Sequence, residues 1–417
     1  MRFSALGTAV LASAALVVPL APPALASPTA TVAAVAPETV PADQHEHGHG
    51  RHDDHRLDRG PDGRDREERA RTDARLQKVL DGIVAAGAPG VVAEVRDGRQ
   101  VWTGRSGKAD RTRGLPPRTD SRFRAGSVTK SFVATVVLQL TAEGELRLDD
   151  PVERHLPGVV PNGGKITVRQ LLGHRSGLFN YTDRLWPGGF KEAYENRFRH
   201  YAPGELIAEA TRHRPLFAPG TSGSYSNTNY VLLGMLIEKV TGNSARTEIM
   251  RRIIGPLGLD GTSFPEASPR IPSPHARGYI RLEGSASPYT DMTETDMSWA
   301  WTAGALISTT HDLNIFYKAL VGGRLLPAKL MKDMLEIHPL VDGSSYGLGV
   351  ARVDAPEFGR AFGHTGGAPG FTTHSYTLAN GSRQVTLSVN SMPVTEEVDL
   401  ASRKATLALL AMGAKSN

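Results

Sequence analysis

The chain of 417 residues carries 48 Lys and Arg against 43 Asp and Glu, a net charge of +5, and 40% of its residues are hydrophobic. That content supports a real core in one large domain or two ordinary ones, and a mild basic excess without a long basic run interleaved with aromatics argues against nucleic-acid binding. The absence of cysteine excludes disulfides and thiolate metal ligands, so stability must come from burial.

Residues 1–26 read as a signal peptide. Arg2 supplies the positive start, an apolar stretch runs from Ala5 to about Leu20, and Ala24-Leu25-Ala26 has the small residues of a cleavage site. The chain is therefore expected to be secreted. No later apolar run reaches the length of about 18 residues that a membrane helix needs, so no stable membrane anchor is expected. Residues 27–72 are expected to stay unfolded. A Pro/Ala/Val-rich stretch leads into a tract of His, Asp, Arg and Gly that cannot offset its ordering entropy. Within it, His45-Glu46-His47-Gly48-His49 matches the letters of H-E-x-x-H, but glycines and the lack of an apolar face argue against the helix that a zinc site requires. No metal and no cofactor are expected.

Folded sequence is expected from residue 73 to 417. Ala74 to Ala86 has helical spacing in Leu76, Val79, Leu80, Ile83 and Val84. Val91 to Arg96 and Arg99 to Thr103 read as a hairpin about Asp97-Gly98. Ser127 to Ala142 is an apolar helix. Helices and loops fill about 146–295, with Val168 to Leu172 and Tyr230 to Val240 the clearest helical pieces. Tyr346 to Val353, Arg360 to His364, Thr372 to Leu378 and Gln384 to Asn390 read as strands, the last two joined at Asn380-Gly381. A helix over Val398 to Leu410 follows. This order predicts an α/β (α+β) fold. Both ends meet in one antiparallel sheet flanked by the terminal helices, and a mostly helical lobe is inserted between them. The cleft between the two parts is the expected place for a site.

Three short patterns carry chemistry. Ser127-Val128-Thr129-Lys130 puts a hydroxyl and an amine on one helix face, at a helix start where unpaired N–H groups favour developing negative charge. A serine needs a base to become a nucleophile, and a lysine serves only if desolvation or nearby cations lower its pKa. Tyr225-Ser226-Asn227 stands directly before an apolar helix, where a phenol can relay a proton and an amide can bind a carbonyl. Gly363-His364-Thr365-Gly366 lies on a predicted strand whose backbone can run beside an extended substrate.

S-x-x-K, Y-x-N and H-T-G in this order resemble the serine beta-lactamase and penicillin-binding superfamily. The Tyr and His variants are similar to the class C group and most similar to secreted soluble D-alanyl-D-alanine carboxypeptidases. Phe123-Arg124-Ala125-Gly126-Ser127, Leu172-Gly173-His174-Arg175-Ser176-Gly177-Leu178 and Ala303-Gly304-Ala305-Leu306-Ile307-Ser308-Thr309 match as well. The resemblance covers about residues 75–412 and implies a beta-lactamase/transpeptidase-like fold. It implies that Ser127 forms an acyl-enzyme and that Lys130 and Tyr225 share proton transfer, which of them is the base being left open. It further implies that Asn227 holds the substrate amide, that His364 tunes Tyr225, and that the N–H groups of Ser127 and Gly367 form the oxyanion hole. Thr365 and Gly366 would line the substrate strand, and Trp299 and Trp186 would flank the site.

The resemblance implies peptidoglycan-type D-amino-acid peptides or beta-lactams as partners, and the chain is expected to be a monomer. Two positions depart from the carboxypeptidases. Gly367 stands where they have threonine after H-T-G, and Ala351 where they have the arginine that grips a substrate carboxylate. The first expectation is a serine-type D-alanyl-D-alanine carboxypeptidase. The alternatives are an esterase, a D-aminopeptidase or a beta-lactamase with the same chemistry, and a non-catalytic penicillin or wall-ligand binding protein. The complete Ser127/Lys130/Tyr225 set argues against the last.

Overall fold

The computed structural model describes residues 61–282 and 288–412. The signal peptide, the tract over 27–60 and its H-E-x-x-H match lie outside the described residues. The chain divides into two compact units, one comprising Val17–Thr72 and the other containing Asp73–Asn417. In the smaller unit the described residues, 61–72, are helical and open helix α1 (Pro61–Ala85). This corrects the expectation of an unfolded stretch to residue 72. Arg, Glu and Ala are good helix formers, and Glu67 pairs with Arg71 one turn on at 2.6 Å, so a helix needs no apolar face here.

In the larger unit, β1 (Gly90–Asp97) and β2 (Gln100–Gly107) form the predicted hairpin, with Asp97 paired to Gln100 so that the turn is Gly98-Arg99. Helix α2 (Thr129–Ala142), α3 (Val168–Leu172), α4 (Asn227–Thr241) and α5 (Thr310–Val321) belong to the central part of the chain. Then come β3 (His338–Pro339), β4 (Ser345–Tyr346), β5 (Ala351–Ala355), β6 (Gly359–Ala368), β7 (Phe371–Leu378), β8 (Arg383–Val389) and α6 (Glu396–Ala411). The sheet has eight antiparallel strands in the order β2-β1-β8-β7-β6-β5-β4-β3. The first hairpin thus joins the last strand, Val91 opposite Val389 and Val95 opposite Val385, as the element order predicts.

Alternation along β1 assigns its faces. Val91, Ala93 and Val95 pack with Leu76, Leu80 and Ile83 of α1 and with Val398, Leu409 and Leu410 of α6. Val92 belongs to the other core, which also holds Phe316 and Tyr317 of α5. Helix α2 is buried on nearly every side: Phe132, Val133, Val136, Val137 and Leu138 are fully buried, and so are the polar Lys130, Ser131 and Thr135. Its long apolar side chains seat α2 in the interior, and the helix carries the front of the site on that support.

The predicted strand Tyr346 to Val353 is broken between β4 and β5. Gly349 has φ +90°, and a Cβ there would lie 2.2 Å from Ala134 Cβ. The backbone dips onto α2 at this point, which only glycine allows. Ser131 Oγ donates to Gly349 O at 2.7 Å and fastens the dip to the helix.

Candidate active site

Ser127, the expected nucleophile, sits on a 3-10 turn, Gly126–Val128, that runs into α2. Gly126 has φ +55°, and a side chain there would meet Gly367 O at 2.6 Å and Gly367 N at 2.8 Å. At Gly366, a Cβ would lie 1.9 Å from Ala125 O and 3.4 Å from Ser127 N. Two backbones therefore touch where both lack side chains. The contact brings the amides of Ser127 and Gly367 to the same end of β6.

Lys130 is fully buried, yet its amine has three polar neighbours. Nζ lies 3.0 Å from Ser127 Oγ, 2.7 Å from Asn227 Oδ1 and 2.7 Å from the carbonyl of Ala303. Thr129 ties the start of α2 to the segment after Ala303: its Oγ1 donates to Gly126 O and accepts from Leu306 N. Burial pushes the Lys130 pKa well below the ordinary lysine range. A neutral amine has two hydrogens and one lone pair. The two carbonyl oxygens accept the hydrogens, and the lone pair is left for Ser127 Oγ. The arrangement can take the serine proton without a protein carboxylate.

Tyr225 lies beneath this group, its ring centroid 4.8 Å from Lys130 Nζ. Its hydroxyl is buried with no hydrogen-bond partner of full geometry among the described residues. Burial pushes the phenol up, and the neighbouring Ser127 hydroxyl acts in the opposite direction. Tyr225 is thus a protonated phenol beside Ser127. Asn227 is oriented from both sides: its backbone N–H donates to Asn180 Oδ1 at 2.9 Å, and Nδ2 donates to Thr182 Oγ1 at 3.2 Å.

His364 does not bond Tyr225, from whose ring its own stands 6.3 Å away. Nδ1 contacts the carbonyl of Thr365, and Tyr346 O–H lies 2.9 Å from Nε2. Since a carbonyl only accepts, Nδ1 carries the proton and Nε2 receives the Tyr346 hydroxyl. Burial, then the nearby Lys130, hold the His364 pKa down to about 3, so the ring is neutral. Thr365, Gly366 and Gly367 continue along β6, paired with His374, Thr373 and Thr372. Trp186 and Trp299 pack edge to face at 4.7 Å, and Tyr181 O–H donates to the Trp299 carbonyl at 2.6 Å. The pair joins the site through the short helix Thr182–Leu185, whose Thr182 orients Asn227.

Ser127, Lys130 and Asn227 are thus in direct contact, Tyr225 is adjacent, and His364 joins through Tyr346. Sequence reasoning missed His174, Tyr346, Asn180 and the Ala303 carbonyl as parts of the site. His174 and Ala303 stand in stretches that the resemblance picks out, but nothing in their spacing marks a role. At the two departing positions, Ala351 pairs with Gly363, and Arg352 Nε donates to Asp354 Oδ2 at 3.0 Å.

The family model described as Beta-lactamase matches residues 70–410 of the chain. Among solved structures, a D-stereospecific amidohydrolase from Streptomyces sp. is 39% identical, with a TM-score of 0.72 over 79% of this chain and 97% of that one. The D-amino acid amidase from Ochrobactrum anthropi SV3, complexed with L-phenylalanine amide, is 29% identical, with a TM-score of 0.72 over 82% of this chain and 98% of that one. Penicillin-binding protein 4* of Bacillus subtilis is 30% identical over 68% of this chain and 64% of its own length, so the match stops short of two thirds of that relative.

Proposed function

Because the chain belongs to the beta-lactamase family, we propose that this serine hydrolase cleaves D-amino-acid amides and short D-amino-acid peptides through an acyl-enzyme on Ser127. The observation that carries the reading is the buried Lys130 amine, 3.0 Å from Ser127 Oγ with both its other contacts to carbonyl oxygens. In acylation the Ser127 proton passes to Lys130 Nζ while Oγ bonds the substrate carbonyl carbon. The oxyanion faces the Ser127 and Gly367 amides; losing one such donor typically costs about 3–4 kcal/mol of transition-state stabilisation. The C–N bond then breaks, the leaving amine takes the Tyr225 phenolic proton, and Lys130 returns its proton to Tyr225. Asn227 holds the acyl-side amide, and the Trp186/Trp299 pair offers an apolar wall beside it. A ligand-binding protein without turnover would need none of this relay.

A strict D-alanyl-D-alanine carboxypeptidase is the second reading, and it needs a cation for the terminal carboxylate. Ala351 provides none, and Arg352 is already committed to Asp354. The similarity to amidohydrolases supports the amide reading over it. The test compares kcat/KM for a D-Ala-D-Ala peptide and its C-terminal amide, alongside a D-amino-acid amide, a short-chain ester and a cephalosporin. Amidation should cost less than about tenfold, equivalent to about 1.4 kcal/mol. A preference for the free carboxylate of a hundredfold or more would return the carboxypeptidase reading.

A further inference from the structure

His174 is a fully buried residue in the loop after α3, and it takes no part in the proton transfers above. Its backbone is left-handed, with φ +56°. A non-glycine residue pays strain of about 1 kcal/mol or more for that conformation, and it persists where surrounding contacts over-determine it. The contacts here converge on one neighbour. Ser224 N–H donates to the His174 carbonyl at 2.9 Å, and Ser226 N–H donates to His174 Nδ1 at 3.2 Å. These are the residues on either side of Tyr225. The imidazole lies against the Tyr225 ring, centroids 4.2 Å apart, with Tyr346 at 4.7 Å behind it.

A second shell of bonds secures the imidazole. Ser176 Oγ donates to Asn229 Oδ1 at 2.6 Å, which turns the Asn229 amide nitrogen toward His174 Nδ1 at 3.2 Å. A backbone N–H can only donate, so Nδ1 is the acceptor and Nε2 holds the ring proton. Burial pushes the His174 pKa well below its usual value, and the ring stays neutral.

We propose that His174 is a positioning residue for Tyr225: its carbonyl and Nδ1 clamp the backbone on both sides of that tyrosine while its ring backs the phenol toward Ser127. The role rests on the reading of Tyr225 as the proton relay. It explains why a short side chain with an acceptor at the Nδ1 position occupies a left-handed site that glycine would fill with less strain.

The test measures acylation by a chromogenic D-aminoacyl ester in His174→Leu and His174→Asn, each with Tyr225 intact and with Tyr225→Phe, together with melting temperature. Leu fills the space without an acceptor. Asn places Oδ1 near the Nδ1 position and tolerates positive φ. His174→Leu should lower kcat by about thirtyfold or more with KM within about threefold, and His174→Asn should stay within about fivefold of wild type. In the Tyr225→Phe background the Leu change should cost less than about threefold more, since both changes disable one unit. A full multiplicative loss in that background, a Leu variant at the wild-type rate, or an Asn variant as slow as Leu would each overturn the proposal. If His174→Leu does not fold, His174→Asn decides alone, and a loss above about thirtyfold counts against it. Tyr225→Phe by itself at the wild-type rate would instead overturn the relay reading, and the role of His174 with it.

Discussion

Lys130 is fully buried, and burial lowers the pKa of its amine. Desolvation disfavours the ammonium, and two carbonyl oxygens at 2.7 Å accept the hydrogens of the neutral form. Under the proposed mechanism, acylation requires deprotonated Lys130. The sign follows directly: kcat/KM should rise with pH through a Lys130 pKa displaced well below the ordinary lysine value and then stay level. A pre-steady-state pH profile checks this, and a rate that climbs only near pH 10 would show an unshifted lysine. Lys130→Ala and Tyr225→Phe should each cost about 10²–10⁴-fold in turnover, and the double variant should be little worse than either. Independent losses that multiply would show that the two do not share one relay. That Ser127, Lys130, Tyr225 and Asn227 lie together was readable because each contributes a side chain whose chemistry is visible in its type and order. Ala303 contributes a carbonyl, which every residue has, and His174 contributes a conformation. Neither leaves a mark in composition or spacing.

The elements show the same division. Strands β6, β7 and β8 and helices α1, α2, α4 and α6 follow their apolar periodicity, so they were readable. The break between β4 and β5 was not, because it depends on Ala134 of α2, far away in sequence, pressing against Gly349. Gly349→Ala combines that clash with a φ of +90° and should destabilise the protein by more than about 1 kcal/mol. A thermal melt checks this, and because Ser131 and Lys130 share the same helix, turnover should fall with it. Strand β7 makes a separate prediction. His374 is buried there with no hydrogen-bond partner for Nε2 among the described residues, and burial, then Arg403, hold its pKa down to about 4. His364 on β6 is held down to about 3. Unfolded histidines bind protons below about pH 6.5 while these remain neutral, so the unfolded state gains protons first. Stability should fall as pH drops from about 6.5 toward 4, by about 1.4 kcal/mol per pH unit for each such group. Denaturant midpoints for wild type and His374→Asn would test it, the variant showing the shallower slope. Equal slopes would exclude His374 as a source.

At the scale of the molecule, the arrangement of the sheet was readable from element order alone: a hairpin early, strands and a helix late, and helices between. The start of α1 at Pro61 was not, since a charged helix without an apolar face has no periodic signal. Among the described side chains, the buried apolar residues of α1 nevertheless begin at Leu76, inside the unit that contains Asp73–Asn417. A chain beginning at Asp73 should therefore keep its melting temperature within about 2 °C, a shift of well under 1 kcal/mol, and its turnover should be unchanged. The most direct measurement of the whole account is the intact mass of the enzyme, acid-quenched during turnover of a D-amino-acid ester. The D-aminoacyl adduct should appear on the peptide containing Ser127 and be absent from Ser127→Ala, which should also lose D-amino-acid amide hydrolysis by at least about a thousandfold. An adduct that survives in Ser127→Ala, or amide hydrolysis that continues without Ser127, would contradict it.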